Sequence, residues 1–374
     1  MADLIKYQGP WKGLNLDNPE NSIGIDEAVR CDNFLLRGGE IRTAPRLNTF
    51  ATNFIYKGEI CRGIACFLDQ NNLYHTTFVT DQSIYQLIPG IGAQKLGIVG
   101  RLPFAGAGTC SFAQLINQLF FVNYTSNLYM WDGKTNSVTV AYAGIGAKFV
   151  AELASCIILL NTVELVTDPV TLKVTTQYFQ QRVRSSASGQ TNPVTFEPVV
   201  GGLVSGAAYF DMLDCPDAIT GFLAIGASGY ILRSNGISQM TPQGSGLSPF
   251  IVNHMWASER GMGNIYATAS AQYGAVGIIV SAEDVYTITP SGFQSITGPV
   301  RYALLRDLAN ATYAPLGTII PQFSSGYVYL QYMLSISSGK DTIIWCFSVN
   351  ENQWFRRVLT QKTVTTLPKY VFTS

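Results

Sequence analysis

The sequence predicts an all-β fold, an irregular β-propeller of about six blades with an extended N-terminal segment, and three observations predict it. Glycine (35), tyrosine (19) and phenylalanine (20) are abundant among the 374 residues, while Ala, Glu, Lys and Leu at helical spacing are scarce, a bias toward strands and turns. Short apolar runs alternate with Gly, Pro and Asn turns along the chain. One hairpin pattern also recurs: an apolar-aromatic strand, a turn, and a second alternating strand.

Residues 1–54 read as an extended segment that includes a hairpin, and residues 55–374 as the propeller body. In "DEAVRCDNFLLRGGEIRTAPRLNTF", residues 26–50, Gly38 and Gly39 separate "NFLL" from "EIRTA". Two glycines free to reach φ > 0 between short extended runs make a tight hairpin. The repeat follows in "DQSIYQLIPGIGAQKLG" around Tyr85, "TSNLYMWDGKTNSVTV" around Tyr129, "ASGYILRSNGISQMTP" around Tyr230 and "AEDVYTITPSGFQSITG" around Tyr286. A looser copy is "DTIIWCFSVNENQWFRRVL", with Trp345 and Trp354 flanking the turn at Asn350–Asn352. A sixth is "QYFQQRVRSSASGQTNPVTFEP", where Arg182 and Arg184 lie in a strand that leads to a turn near Gly189. The copies lie roughly 45 to 60 residues apart, longer than a minimal propeller blade. The segments "GIACFL", "NQLFFVNY", "ITGFLAIG" and "AVGIIVS" supply further strands, four to a blade. A pair of β-sandwich domains is the competing architecture, and "VVGGLVSGAAYFDM", residues 199–212, is the best internal linker candidate by its glycines.

Composition excludes several classes. Charged residues are 13%, hydrophobic residues 47% and the formal net charge is zero, which argues against disorder and against a polybasic surface that grips nucleic acid. The start "MADLIKYQGPWKGLNLDNPE" mixes charge and proline, so no secretory leader is expected and folding is expected in the cytoplasm. The most apolar stretch, "FVAELASCIILLNTVELV", carries Glu152 and Glu164 and reads as a buried strand pair in place of a membrane helix. Seven cysteines without Cys-x-x-Cys, of which Cys61 and Cys66 are the close pair, read as reduced core thiols.

No constellation for catalysis, metal or cofactor emerges. His75 in "LYHTTFV" and His254 in "IVNHMWA" read as strand histidines. "GSG" at 244–246 is a loop and not a nucleophile elbow, and "GIGAQKLG" at 90–97 lacks the glycine pattern and following helix of a phosphate loop. Asp211, Asp214 and Asp217 bunch three carboxylates without the glycine and distal glutamate of a calcium loop. Arg356 and Arg357 beside Trp354 read as a rim ion pair, with a basic-aromatic nucleic-acid contact as the weaker alternative. Paired carboxylates at a propeller axis would suit glycoside hydrolysis, which sequence spacing does not show. Trp131 and Trp354, expected at exposed positions near blade turns, motivate a carbohydrate-binding alternative.

The stretch "GLNLDNPENSIGIDEAVRCDNFLLRGGEIRTAPRL" resembles the N-terminal signature of tail nozzle, or tail-tube, proteins of short-tailed bacteriophages. The matching residues are Gly13, Leu14, Asn15, Asp26, Glu27, Ala28, Asn33, Gly38, Gly39, Arg42, Pro45 and Arg46. "PDAITGFLAIGASGYILRSNGISQMTPQG", "ERGMGNIYATASAQYGAVGIIVSAEDVYTITPSGFQSITGPV" and "VNENQWFRR" are similar to the later blades of the same group; residues 140–180 match thinly. The resemblance implies a non-enzymatic structural subunit without cofactor, one of a ring, typically a hexamer, below the portal adaptor of a virion tail. It implies that genomic DNA passes through the ring without tight binding and that tail fibres or spikes attach to it. Assembly in the host bacterial cytoplasm and no membrane insertion are implied likewise. The N-terminal segment is expected either to wrap a neighbour or to close the last blade with the C-terminal "LPKYVFTS".

Overall fold

The computed structural model describes residues 13–18, 22, 27–28, 34–37, 40–43, 59, 61–88, 92–98, 109–189, 194–200, 203–213, 217–243, 249–257, 263–324, 327–338 and 341–360. The fold is an irregular all-β propeller whose described residues contain one eight-stranded sheet, four four-stranded sheets and three two-stranded pairs. By its contacts the chain divides into two compact units, Thr49–Glu259, and Met1–Asn48 with Arg260–Ser374.

In the second of these units the amino-terminal part contributes β1 (Gly13–Leu14), β2 (Glu27–Ala28), β3 (Phe34–Arg37) and β4 (Glu40–Thr43). β3 and β4 form the expected antiparallel hairpin with Arg37 opposite Glu40. β1 and β2 pair in parallel, Gly13 opposite Glu27 and Leu14 opposite Ala28.

The unit Thr49–Glu259 holds four blades. The first is β5 (Cys61–Leu68), β6 (Tyr74–Thr80), β7 (Ile84–Ile88) and β8 (Gly92–Ile98); the second is β9 (Ser111–Leu115), β10 (Gln118–Val122), β11 (Asn127–Trp131) and β12 (Ser137–Ala143). A short parallel pairing of β8 with β12 joins them into eight strands. At the other edges the Cys110 N–H donates to the Arg62 carbonyl at 2.9 Å, so the eight-stranded sheet nearly closes. The third blade is β13 (Ile145–Leu153), β14 (Cys156–Thr167), β15 (Val174–Ser185) and, after the two-residue strands β16 (Val199–Val200) and β17 (Leu203–Val204), β18 (Ala208–Asp211). The fourth is β19 (Ile219–Ile225), β20 (Ser228–Arg233), β21 (Gly236–Pro242) and β22 (Phe250–Ala257).

Packing explains the continuous apolar runs, because a strand covered on both faces cannot alternate with polar residues. On β10, Leu119 and Phe121 face the first blade while Phe120 and Val122 face the third. On β14, Ile157 and Leu159 pack toward the second blade and Ile158 and Leu160 toward the fourth. The stretch "FVAELASCIILLNTVELV" is therefore the buried hairpin β13–β14, closed by Ala154 and Ser155 at φ of 51° and 61°.

The remaining blades are β23 (Ala271–Tyr273), β24 (Val276–Val280), β25 (Val285–Thr289), β26 (Gly292–Ser295), then β27 (Leu316–Ser324), β28 (Tyr327–Ser337), β29 (Asp341–Ser348) and β30 (Gln353–Thr360). Between them lie a 3-10 turn, Gly298–Val300, and helix α1 (Arg301–Ala309). Leu14 is buried in the core of this pair of blades. Gly317 is required there, because a Cβ would collide with the Ala269 carbonyl oxygen and lie 2.8 Å from the Tyr332 hydroxyl.

Five of the six repeats are the hairpins expected, at β7–β8, β11–β12, β20–β21, β25–β26 and β29–β30. The sixth differs. β15 carries Arg182 and Arg184 toward a turn at Gly189, but its partner is β18 and not "NPVTFEP". Pro198 withholds a ladder donor from that segment, and Val194 and Phe196 enter the core between the second and third blades. Within the linker candidate at residues 199–212, β18 joins the third blade's sheet while β16 and β17 form a two-stranded sheet of their own, and the stretch lies inside a single compact unit and not at a unit boundary.

Candidate functional site

A cleft of about 660 Å³ is lined by Leu16, Asp17, Tyr302, Ala303, Arg306, Asp307, Trp345 and Arg356. The N-terminal signature builds one wall. Asn15 donates its backbone N–H to the Ala28 carbonyl at 3.0 Å and its amide to Glu27 Oε2 at 2.9 Å, which fixes "GLN" against "EA". The Leu16 and Asp17 N–H groups then donate to the Pro299 carbonyl at 2.9 and 3.0 Å, and Asp17 Oδ2 accepts the Tyr302 N–H at 3.3 Å near the start of α1. A carboxylate at a helix N-terminus is placed where backbone N–H groups lack partners.

Helix α1 builds the opposite wall. Val300, Leu304 and Leu308, four residues apart, turn inward. Asp307 Oδ2 accepts the Trp345 indole N–H at 3.0 Å and lies 3.7 Å from Arg356 Nε, and Arg356 sits over the Trp345 ring at 5.8 Å. The Asp307 carboxylate is thus engaged on two sides. Arg306 leaves its guanidinium largely in solvent, with 73% of the side chain exposed. Among the described residues the lining presents arginines, carboxylates and aromatic rings, a set that suits recognition of a polar group.

A second polar cluster lies on the third blade. Glu164, buried, accepts Arg184 Nε at 2.8 Å and Nη2 at 2.7 Å, Arg182 Nη1 at 3.3 Å and the Thr162 hydroxyl at 2.8 Å. Burial raises the pKa of its carboxyl, but the Arg184 and Thr162 hydrogen bonds and the arginine charges outweigh this and hold it low. Arg182 also makes a bidentate pair with Asp211, at 2.7 and 2.8 Å, which lowers the Asp211 pKa. The Arg182 guanidinium stacks 3.8 Å from the Phe179 ring centre. Tyr142 donates to Glu197 at 2.8 Å; burial and that carboxylate push its phenol up to about 12.

The residues singled out in the sequence scatter. Asp211 belongs to Arg182, Asp217 accepts the Asn235 N–H at 2.8 Å, and Asp214 lies outside the described residues. No group of three metal-ligating side chains occurs among the described residues. His75 stacks on Phe67 with ring centres 5.4 Å apart; its Nδ1 accepts the Gln86 amide at 2.9 Å, which leaves Nε2–H to donate to Asp69 at 3.2 Å. Leu73 and Asn71 N–H groups hold the Asp69 pKa low together with His75, against some desolvation. His254 lies on β22, its side chain outside the described residues.

The exposure expected of Trp131 and Trp354 is corrected. They are only 1% and 3% exposed, and their indole N–H groups donate to the Thr135 carbonyl at 2.7 Å and the Ile296 carbonyl at 2.6 Å. Closeness to a turn did not make them surface residues, because both rings pack in hydrophobic cores, and neither is free to stack on a sugar. Cys66 is exposed, unlike the core thiol expected. Of the residues carrying the family resemblance, Gly13, Leu14, Asn15, Glu27 and Ala28 come together, Arg42 lies on β4, and Asp26, Asn33, Gly38, Gly39, Pro45 and Arg46 fall outside the described residues.

Helix α1 and Asp307 were not foreseen. The four-residue spacing of Val300, Leu304 and Leu308 after Gly298-Pro299 was the signal that could have found them.

No family model and no curated protein matches the chain. Among solved structures, the chain is similar to the computationally designed Ika8 protein, with TM-score 0.42 and 11% identity, over 79% of this chain and 73% of that one. The AfRom2 CNH domain gives TM-score 0.43 and 5% identity over 84% and 88%. BamB from Moraxella catarrhalis gives 0.38 and 10% over 81% and 86%. Likenesses this distant bear on neither activity nor partner.

Proposed function

We propose that this chain is a structural subunit of a bacteriophage tail, one copy of a nozzle or tail-hub ring below the portal adaptor that forms part of the genome-ejection channel. The observation that carries the reading is the N-terminal signature. The paired residues of its "GLN" and "EA" elements, Gly13 with Glu27 and Leu14 with Ala28, are 14 apart in sequence, yet pair directly and anchor the segment on its own unit, so the pattern that carries the resemblance has an architectural reason to exist. Zero net charge suits a wall past which DNA slides, since a strongly basic lumen would hold phosphates by counterion release.

On this reading the protein works through assembled surfaces, without catalysis or cofactor. Its partners are further copies, six to a ring, the portal adaptor, tail fibres or spikes, and DNA in transit without tight binding; it inserts in no membrane. Its place is the virion tail, after assembly in the host bacterial cytoplasm. Negative-stain electron microscopy of the purified protein, alone and mixed with the portal–adaptor complex, tests this. Six-fold rings with an opening wide enough for duplex DNA are expected. Compact monomers that never join the adaptor would overturn the reading.

A further inference from the structure

The third blade carries a two-stranded ribbon that runs beyond its sheet. β13 starts opposite Glu164, with the Leu165 N–H donating to the Gly144 carbonyl at 2.8 Å as the last bond on that side, and β18 pairs with β15 only at 182–185; beyond these β14 and β15 run on as two strands, with Leu165 opposite Thr176 and Thr167 opposite Val174. The tip is well built: Asp168 Oδ1 accepts the Val170 and Thr171 N–H groups at 2.8 and 2.9 Å, and Leu172 turns the chain at φ 56°. Yet most of its apolar side chains are largely exposed, although the Tyr178 ring also lies 5.4 Å from that of Tyr124. Leu165, Val170, Leu172, Val174 and Tyr178 are 46, 88, 75, 55 and 57% exposed.

An isolated two-stranded ribbon is marginal in water, and natural proteins blunt unpaired edges with charge, proline or bulges. Residues 165–178, "LVTDPVTLKVTTQY", hold one Asp, spent on the turn, one Lys, and one proline, which sits at the tip. The paired stretches are Val and Thr. The five apolar side chains together offer roughly 600 Å² of accessible surface, close to the share of about 800 Å² that each partner gives to a standard interface.

We propose that this ribbon, residues 165–178, is a self-association arm that docks on a second copy of this chain. Three features choose a copy over another partner. The area matches one side of a protein–protein contact. A neutral arm on a chain of zero net charge meets its own kind without like-charge cost. Free strand edges add hydrogen bonds to any other free edge, and every copy brings such an edge with it. In the ring the arm is the contact between neighbouring subunits, an assignment of place that rests on the proposed function, whereas self-association through the arm does not.

The test is Val170→Asp with Leu172→Asp, both at the exposed tip, in the full chain. Light scattering and electron microscopy are read across a concentration series, with circular dichroism melting to verify the fold and amide exchange over residues 174–180 as a second readout. Expected is an assembly whose dissociation midpoint rises at least tenfold in the variant with the melt unchanged, and amides that exchange more slowly in assembled than in dilute wild type. Rings that persist in the variant, with equal exchange in both states, would overturn the arm and leave the ring standing. A two-fold dimer that the variant dissolves would support the arm and remove the ring. Wild-type monomers at every concentration, or an arm protected only by the adaptor, would overturn self-association.

Discussion

Glu164→Gln is the sharpest probe of the polar cluster on the third blade. The carboxylate is buried and accepts three guanidinium contacts and one hydroxyl. Glutamine keeps one acceptor and turns an amide N–H₂ toward guanidinium donors. Arg182 retains Asp211, but Arg184, 11% exposed, loses its carboxylate. Stripping a buried charge of its partner costs about 3 to 5 kcal/mol; with Thr162 still able to bond and Arg182 still paired, about 3 kcal/mol is expected. A unit of this size has a urea dependence near 2 to 3 kcal/mol per molar, so the midpoint should fall by about 1 M, followed by circular dichroism and by fluorescence of buried Trp131. The pH response supplies a second reading. A carboxyl whose folded pKa lies below its unfolded one contributes stability that is complete above about pH 4.3 and is lost as pH falls through the lower folded value. Wild type should lose stability across that acid interval, and the variant should lose less. Glu164→Gln with Arg184→Met should cost less than Glu164→Gln alone. A midpoint within 0.2 M of wild type, by the same reasoning from buried pairs, together with an unchanged acid limb, would refute the argument.

Three further outcomes are expected. Ile116 sits at φ 44° in the two-residue turn between β9 and β10 and is half exposed; Ile116→Asn should stabilise by about 1 kcal/mol in thermal unfolding, and a lower melting temperature would count against the turn. Gly317→Ala should destabilise by about 3 kcal/mol or prevent folding of its blade, since the methyl group meets the Ala269 carbonyl; a neutral result would mean that the strand shifts freely. Burial pushes the thiols of Cys61, Cys110 and Cys346 up to about 11, 12 and 12. At pH 8 iodoacetamide should therefore label exposed Cys66 long before those three, and mass spectrometry showing equal rates would be contrary.

The blades were legible where burial on both faces writes a continuous apolar run. "LFFV" on β10 and "CIILL" on β14 are such runs, and a two-sided packing arrangement is what they became. Hairpins bounded by Gly, Asn or Pro were legible for the same local reason. The clusters were not, because they join residues far apart in the chain: Arg182 meets Asp211 29 residues on, and Trp345 meets Asp307 across 38. No local pattern encodes such a meeting. Depth was misjudged at Trp131 and Trp354 because a turn fixes backbone direction and not ring orientation. Helix α1, nine residues amid strands, was masked by the strand-rich composition on either side.

The parallel bridge at Gly13–Leu14 also orders events in time. Leu14 leaves the ribosome before Leu304 and Trp345, members of the same core, which follow roughly 290 to 330 residues later. At about 5 to 20 residues per second that is a wait of roughly 15 to 65 s. During it the whole unit Thr49–Glu259, continuous in sequence, is synthesised. The stretch around Leu14 is therefore made well before the strands that bury it, and its burial waits on contacts of very long sequence separation.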